Sequence, residues 1–130
     1  MTHALILLFN HRLTPDQERD ARRQLGITRV VEPPEALQEL WSNVPPGLPE
    51  LGPYLEPIKD WLTAHAIPGD YVLIQGDFGA TYLMINHTFE KGLVPIYSTT
   101  NREAAEELQP DGSMKLTHRF CHKRFRKYGG

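Results

Sequence analysis

The sequence predicts a single α/β domain, Rossmann-like, with a mostly parallel sheet flanked by helices, and three observations predict it. Short apolar runs rich in branched residues alternate with segments of helical period, the first 32 residues already spell strand, helix, strand at crossover spacing, and glycine or proline marks most junctions. With 130 residues the chain has surface for one core and too little for a second, so residues 1–130 are expected to form one domain. Hydrophobic residues make up 40% and charged residues 23%, which is the composition of a packed globule and not of a disordered chain.

The opening run Ala4 to Phe9 is continuously apolar and reads as a buried strand. It is too short to span a bilayer and carries neither a basic leader nor a small-residue cleavage site. Thr14-Pro15-Asp16-Gln17 then supplies an N-cap, a proline for the first helical position and the glutamine of a capping box, which predicts a helix over 15–24. Gly26 ends it, and 27–31 is a second strand. Pro33-Pro34 opens a short helix through Trp41, which the proline-rich stretch 43–47 breaks. Leu51, Leu55, Ile58, Trp61 and Leu62 fall at helical spacing and predict a helix over 49–65 with one apolar face.

Pro68-Gly69-Asp70 turns the chain into 71–75, the clearest interior strand, and 80–90 comes after it as a helix. A strand over 93–98 is next, with Pro95 predicting an outer position or a bulge. The acidic run 103–108 reads as a helical turn, Pro110-Asp111-Gly112 as a tight turn, and 114–128 as a strand with basic side chains.

The net charge of −2 conceals a polarised chain. Residues 115–130 carry six basic side chains and no acid, whereas 1–114 carry eight basic against 16 acidic ones. The C-terminal segment, about 114–130, is therefore expected to be a basic strand or arm on an acidic body. A single cysteine, Cys121, excludes an internal disulfide and, with the missing leader, predicts a cytoplasmic protein without a membrane segment.

Three segments lie directly after strands, at the end where open parallel sheets gather ligands: Asn10-His11-Arg12, Gln75-Gly76-Asp77-Phe78-Gly79-Ala80-Thr81, and Ser98-Thr99-Thr100-Asn101-Arg102. In the second, glycines permit close approach of a ligand to the backbone and the next helix directs free N–H groups at an anion. It matches neither a Walker motif nor the three-glycine dinucleotide pattern, and the same glycines suit a plain strand-to-helix turn capped by Asp77. The third offers hydroxyls and an arginine for phosphate oxygens, though threonines at strand ends also serve as caps. His11 suits proton transfer near neutral pH, although a lone histidine is more often a surface or packing residue. In 118–128 cations alternate with aromatics, as phosphate pairing with base stacking requires; a solvated basic edge strand has the same composition. His118, Cys121 and His122 supply donors without completing a metal motif, so no metal or other cofactor is expected.

The Phe9-to-Thr14 opening, the Gln75-to-Thr81 loop, the Ile96-to-Arg102 segment and the arm ending in His122 to Tyr128 together resemble a known family. They look like the small stand-alone CRISPR-associated proteins of type III loci, related to the CARF nucleotide-sensing fold, that act as ring nucleases in antiviral defence. The resemblance implies a CARF-like domain that forms a homodimer around cyclic tetra-adenylate, a two-fold ligand in a two-fold pocket. It implies metal-independent attack of a ribose 2′-hydroxyl on the adjacent phosphorus, giving linear di-adenylate with a 2′,3′-cyclic phosphate. His11, Arg102 and His122 would then be catalytic, and Asn10, Arg12, Gln75 to Thr81, Ser98, Thr99, Thr100, Arg124 and Arg126 would contact the ligand. A non-catalytic protein that sequesters the ring, or a regulatory module binding long nucleic acid through the basic arm, would share these features; the resemblance argues against long nucleic acid as the partner.

Overall fold

The computed structural model describes residues 2–130. In chain order it comprises β1 (His3–Phe9), α1 (Pro15–Asp20) continuing into a π-helical turn (Ala21–Leu25), β2 (Ile27–Val31), α2 (Glu35–Ser42), α3 (Gly52–His65), β3 (Tyr71–Gln75), α4 (Phe78–Glu90), β4 (Val94–Leu108) and β5 (Met114–Lys127). The strands form one sheet in the order β2-β1-β3-β4-β5. Pairings β1–β2, β1–β3 and β3–β4 are parallel, whereas β4–β5 is antiparallel and by far the longest, from Ile96 opposite Lys127 to Leu108 opposite Met114. The sheet is therefore mixed, which corrects the expectation of a mostly parallel one.

Alternation along the strands sends side chains to two cores. Ile6, Leu8, Val72 and Ile74 pack beneath α2, α3 and α4 with Trp41, Leu55, Ile58, Leu62, Ala80 and Met84. Leu5, Leu7, Leu73 and Ile96 face the other way, against Ala21 of the helix after β1 and Phe125 of β5. Interior strands buried on both faces are why β1 and β3 read as unbroken apolar runs. Adjacent strands β1 and β3 thus send their succeeding helices to opposite faces, which makes the space between their C-terminal ends a topological switch point.

Local chemistry fixes the element ends. At the start of α1, Thr14 Oγ1 accepts from Gln17 N at 3.1 Å and the Gln17 side chain accepts from Thr14 N at 2.9 Å, the reciprocal capping box expected. Gly26 closes the π-turn at φ 68°. At the opposite edge of the sheet Asp70 is fully buried, its carboxylate accepting from Ala4 N and Ile67 N, both at 3.0 Å. Gly69 beside it has φ 93°, and a Cβ there would lie 2.6 Å from the His3 ring.

Three further expectations are corrected. The acidic run 103–108 is not a helical turn; it is the outer half of β4, lying opposite basic β5 with Glu103 across from Arg119 and Glu107 across from Lys115. Complementary cross-strand charge and hydrogen bonding outweigh the helical propensity of Glu-Ala-Ala-Glu-Glu-Leu. Ser98 to Arg102 is likewise not a loop but the middle of β4. Pro95 is neither outer nor bulged: β4 lies between β3 and β5, and the bulge falls at Thr99/Thr100. The Pro95 carbonyl accepts from Tyr128 N, beyond the end of β5, so its missing N–H forgoes only the reciprocal bond at the very end of that pairing. Among the described residues no helix is long and apolar enough to cross a membrane.

Candidate functional site

The C-terminal ends of β1, β3 and the parallel part of β4 lie on one edge, since the three strands are parallel neighbours. On this edge the segment leaving β1 borders a cleft of about 300 Å³, lined by Asn10, His11 and Arg12 together with Glu32 and Pro33 after β2 and Gln38 and Ser42 of α2. Its size is at the lower end of ligand pockets and its lining combines the Arg12 guanidinium, the Glu32 carboxylate and neutral hydrogen-bonding groups. The His11 ring packs edge-on against Phe9, with centroids 5.4 Å apart. Sequence reasoning missed Glu32, Gln38 and Ser42, because only the fold brings the β2–α2 junction beside the end of β1.

Residues 75–81 are held chiefly by their own neighbours. The Gln75 carbonyl accepts from Trp41 Nε1 at 3.1 Å, and the Ile74 carbonyl accepts from the Tyr128 hydroxyl at 2.6 Å. Burial pushes the Tyr128 phenol above its ordinary pKa, with the nearby Tyr97 adding to the effect. Gly76 lies under the Trp41 indole, where a Cβ would come within 2.8 Å of Nε1. The glycine is thus required for packing. Asp77 caps α4, Oδ2 accepting from Ala80 N at 3.0 Å, so a carboxylate already occupies the end that a phosphate would seek. Phe78 is 95% exposed, a Cβ on Gly79 would come within 3.3 Å of Leu51, Ala80 is buried, and the Thr81 hydroxyl is buried without a partner.

Around Ser98 the structure assembles a network that no local motif announced. Ser98 N donates to Gln75 Oε1 at 2.7 Å, carrying the β3–β4 ladder past its last backbone pair, Leu73 with Ile96. Ser98 Oγ lies 2.5 Å from His122 Nδ1 and accepts from Gln17 Nε2 at 3.3 Å, while His122 Nε2 lies 2.7 Å from Asp20 Oδ2. A carboxylate only accepts, so Nε2–H donates to Asp20; in the neutral ring Nδ1 then accepts from the Ser98 hydroxyl. The order Ser, His, Asp is that of a nucleophilic triad. Here, however, Ser98 is 8% exposed beneath α1 and its own N–H is taken by Gln75, which leaves neither access for a substrate nor an oxyanion donor at that position. The network ties α1 to the base of the β4–β5 hairpin.

The remaining expected residues are divided by the sheet. Thr99 Oγ1 donates to the Arg124 carbonyl at 3.0 Å and accepts from Arg124 N at 3.2 Å, steadying the bulge. Arg126 donates to the Tyr97 hydroxyl at 3.0 Å, its guanidinium 5.6 Å from that ring's centroid. Strand alternation puts Tyr97, Thr99, Arg124 and Arg126 on the side opposite Ser98, Thr100 and His122. Arg102 opposes Phe120 on the projecting part of the hairpin and does not line the cleft. Asn10, His11 and Arg12 are thus brought together, while Ser98 and His122 form a separate buried cluster. Among the described residues no three His, Cys, Asp or Glu side chains gather as metal ligands.

Comparison with known proteins adds kinship. Residues 3–126 match the model of the Uncharacterized protein MJ1673 family. A curated relative, Uncharacterized protein MJ1673 of Methanocaldococcus jannaschii, is 52% identical over 124 residues, covering 95% of each chain. No solved structure gives a significant match. Both the near full-length family match and this degree of identity lead to one conclusion: the chain belongs to the Uncharacterized protein MJ1673 family.

Proposed function

We propose that this protein is a CARF-like ring nuclease of type III CRISPR defence that binds cyclic oligoadenylate at the C-terminal edge of its sheet and cleaves it without a metal. The observation that carries the reading is the polar cleft formed by Asn10, His11, Arg12, Glu32, Gln38 and Ser42 next to the switch point. Arg12 supplies a fixed cation for a phosphate, and the neutral amides and hydroxyl supply donors and acceptors for ribose and adenine. The motif resemblance supplies the substrate class.

In this reading a ribose 2′-oxygen forms a bond to the adjacent phosphorus while the bond from phosphorus to the 5′-oxygen breaks. His11 takes the 2′-hydroxyl proton and a proton passes to the departing 5′-oxygen, leaving a 2′,3′-cyclic phosphate. Holding the 2′-oxygen in line is the larger contribution of the cleft. Arg102 and the residues of the α4 N-terminus are outside this reading's first contacts, since they do not line the cleft.

The test is incubation of the purified protein with labelled cyclic adenylates of several ring sizes, with and without chelator. Linear products ending in a 2′,3′-cyclic phosphate, unaffected by chelator and abolished by His11→Ala, support the reading; intact rings under all conditions refute cleavage. A second reading, sequestration of the ring without cleavage, is favoured by one observation. Both nitrogens of His122 are engaged by Asp20 and Ser98, leaving His11 alone to move protons. Binding with no product selects it. A steep salt dependence with long single strands and no binding of rings would instead favour a nucleic-acid module.

A further inference from the structure

Beyond the Thr99/Thr100 bulge, β4 and β5 leave the body as a two-stranded arm, and every side chain from Asn101 to Leu108 is exposed. From Thr100 to Leu108 the arm extends about 26 Å at the usual strand rise of about 3.3 Å per residue. An isolated hairpin of this kind is marginal in water. Its two faces differ sharply. Directly opposed residues share a face, so Glu103 with Arg119, Ala105 with Thr117 and Glu107 with Lys115 form a charge-matched polar side. The other side carries Leu108 with Met114, Glu106 with Leu116, Ala104 with His118, and Arg102 with Phe120. On it Leu108 is 71%, Met114 55%, Leu116 59% and Phe120 71% exposed. Large apolar side chains concentrated on one face of a projecting element mark a contact surface.

The pattern on that face is self-complementary, and from it we infer that the arm is the interface of a two-fold dimer. Two copies of the arm pack face to face and antiparallel, with the Ala104–His118 pair on the axis. A two-fold axis there carries each residue one pair outward onto the residue one pair inward on the other arm. Arg102 therefore meets Glu106 of the partner subunit, and Leu116 meets Phe120 of the partner subunit, each contact occurring twice. At the centre both residues of the pair face their own copies: the small Ala104 side chain lets the β4 strands approach, and the uncharged His118 ring stacks on its copy.

Other registers lack this match. Moving the axis to the Glu106–Leu116 pair stacks Glu106 on its own copy, and moving it to the Arg102–Phe120 pair does the same with Arg102. Parallel stacking sets Arg102 over Phe120 and Glu106 over Leu116, which buries charge against carbon. Edge-to-edge pairing of two β5 strands is opposed by Lys115, Arg119 and Lys123 along that strand. Because the arm leaves from the C-terminal edge of the sheet, the chosen arrangement turns the two clefts toward each other across the crossed arms.

Sedimentation equilibrium of the full chain tests this. The wild-type chain is expected to be a dimer. Leu116→Asp and Phe120→Asp should each raise the dissociation constant by about tenfold or more, as should Arg102→Glu and Glu106→Arg singly. Combining Arg102→Glu with Glu106→Arg should recover most of the loss, a rescue that a merely damaged arm would not show. A monomeric wild-type chain overturns the inference. So does a dimer indifferent to both Leu116→Asp and Arg102→Glu, or a double charge swap no tighter than the single ones. The interface stands apart from the ligand reading: a dimer with these properties that ignores every adenylate ring leaves it intact, and ring cleavage by a monomer removes it alone.

Discussion

Asp20 and His122, 102 residues apart, share a 2.7 Å hydrogen bond that fastens the helix after β1 to the strand that closes the sheet. Both side chains are close to buried, at 12% and 6% exposed. His122 passes the connection on to Ser98, and Ser98 to Gln17 and Gln75.

Removing either end of this connection leaves a buried polar group without its partner. Asp20→Ala and His122→Ala should each lower unfolding free energy by about 1–3 kcal/mol. The double variant should lose less than the sum of the two, because the second truncation removes a group already stranded. Urea denaturation of the four proteins measures the coupling. Strictly additive losses would show that the two side chains do not act on one another.

Gly76 separates packing from ligand approach. A methyl group there would press on the Trp41 indole, so Gly76→Ala should destabilise the fold by about 1–3 kcal/mol and shift tryptophan emission even with no ligand present. Unchanged stability and emission would mean the indole yields freely, and would leave ligand approach as the reason for this glycine.

His87 makes stability depend on pH. Burial first, then the positive charges of Lys59 and Lys91, hold its pKa below the ordinary value against the opposing pull of Glu90. The folded chain resists the proton that the unfolded chain accepts. This contribution to stability is therefore complete above an unfolded value of roughly 6.5 and is lost as pH falls through the lower folded value. Unfolding midpoints taken between about pH 7.5 and about pH 5 should decline less steeply in His87→Gln than in the wild-type chain. Parallel declines would assign the acid sensitivity to other groups.

Much of the frame was legible because its determinants are local. Strands 27–31 and 71–75 have the bounds that branched runs between turn residues predict, and the Thr14 to Gln17 box forms as its spacing requires. The acidic run 103–108 misled because its own residues favour a helix, while what makes it a strand is the basic segment that returns opposite it after the Gly112 turn. The same long-range dependence hid the Asp20 and Gln17 contributions to the Ser98 cluster. In the sequence Gly76 reads as room for a ligand, whereas in the fold it makes room for Trp41, which arrives from a distant helix. At the cleft, His11 and Arg12 could be picked from their place after a strand, but Gln38 and Ser42 had no signal short of the folded chain.

Calorimetric titration of the wild-type chain with cyclic tetra-adenylate tests the central claim most directly, that the edge beyond β1 accepts this ring. The expected result is a measurable heat at one ring per two chains, with Arg12→Ala weakening association by about tenfold or more and leaving unfolding unchanged. No heat with any adenylate ring, or an affinity untouched by Arg12→Ala, would contradict it.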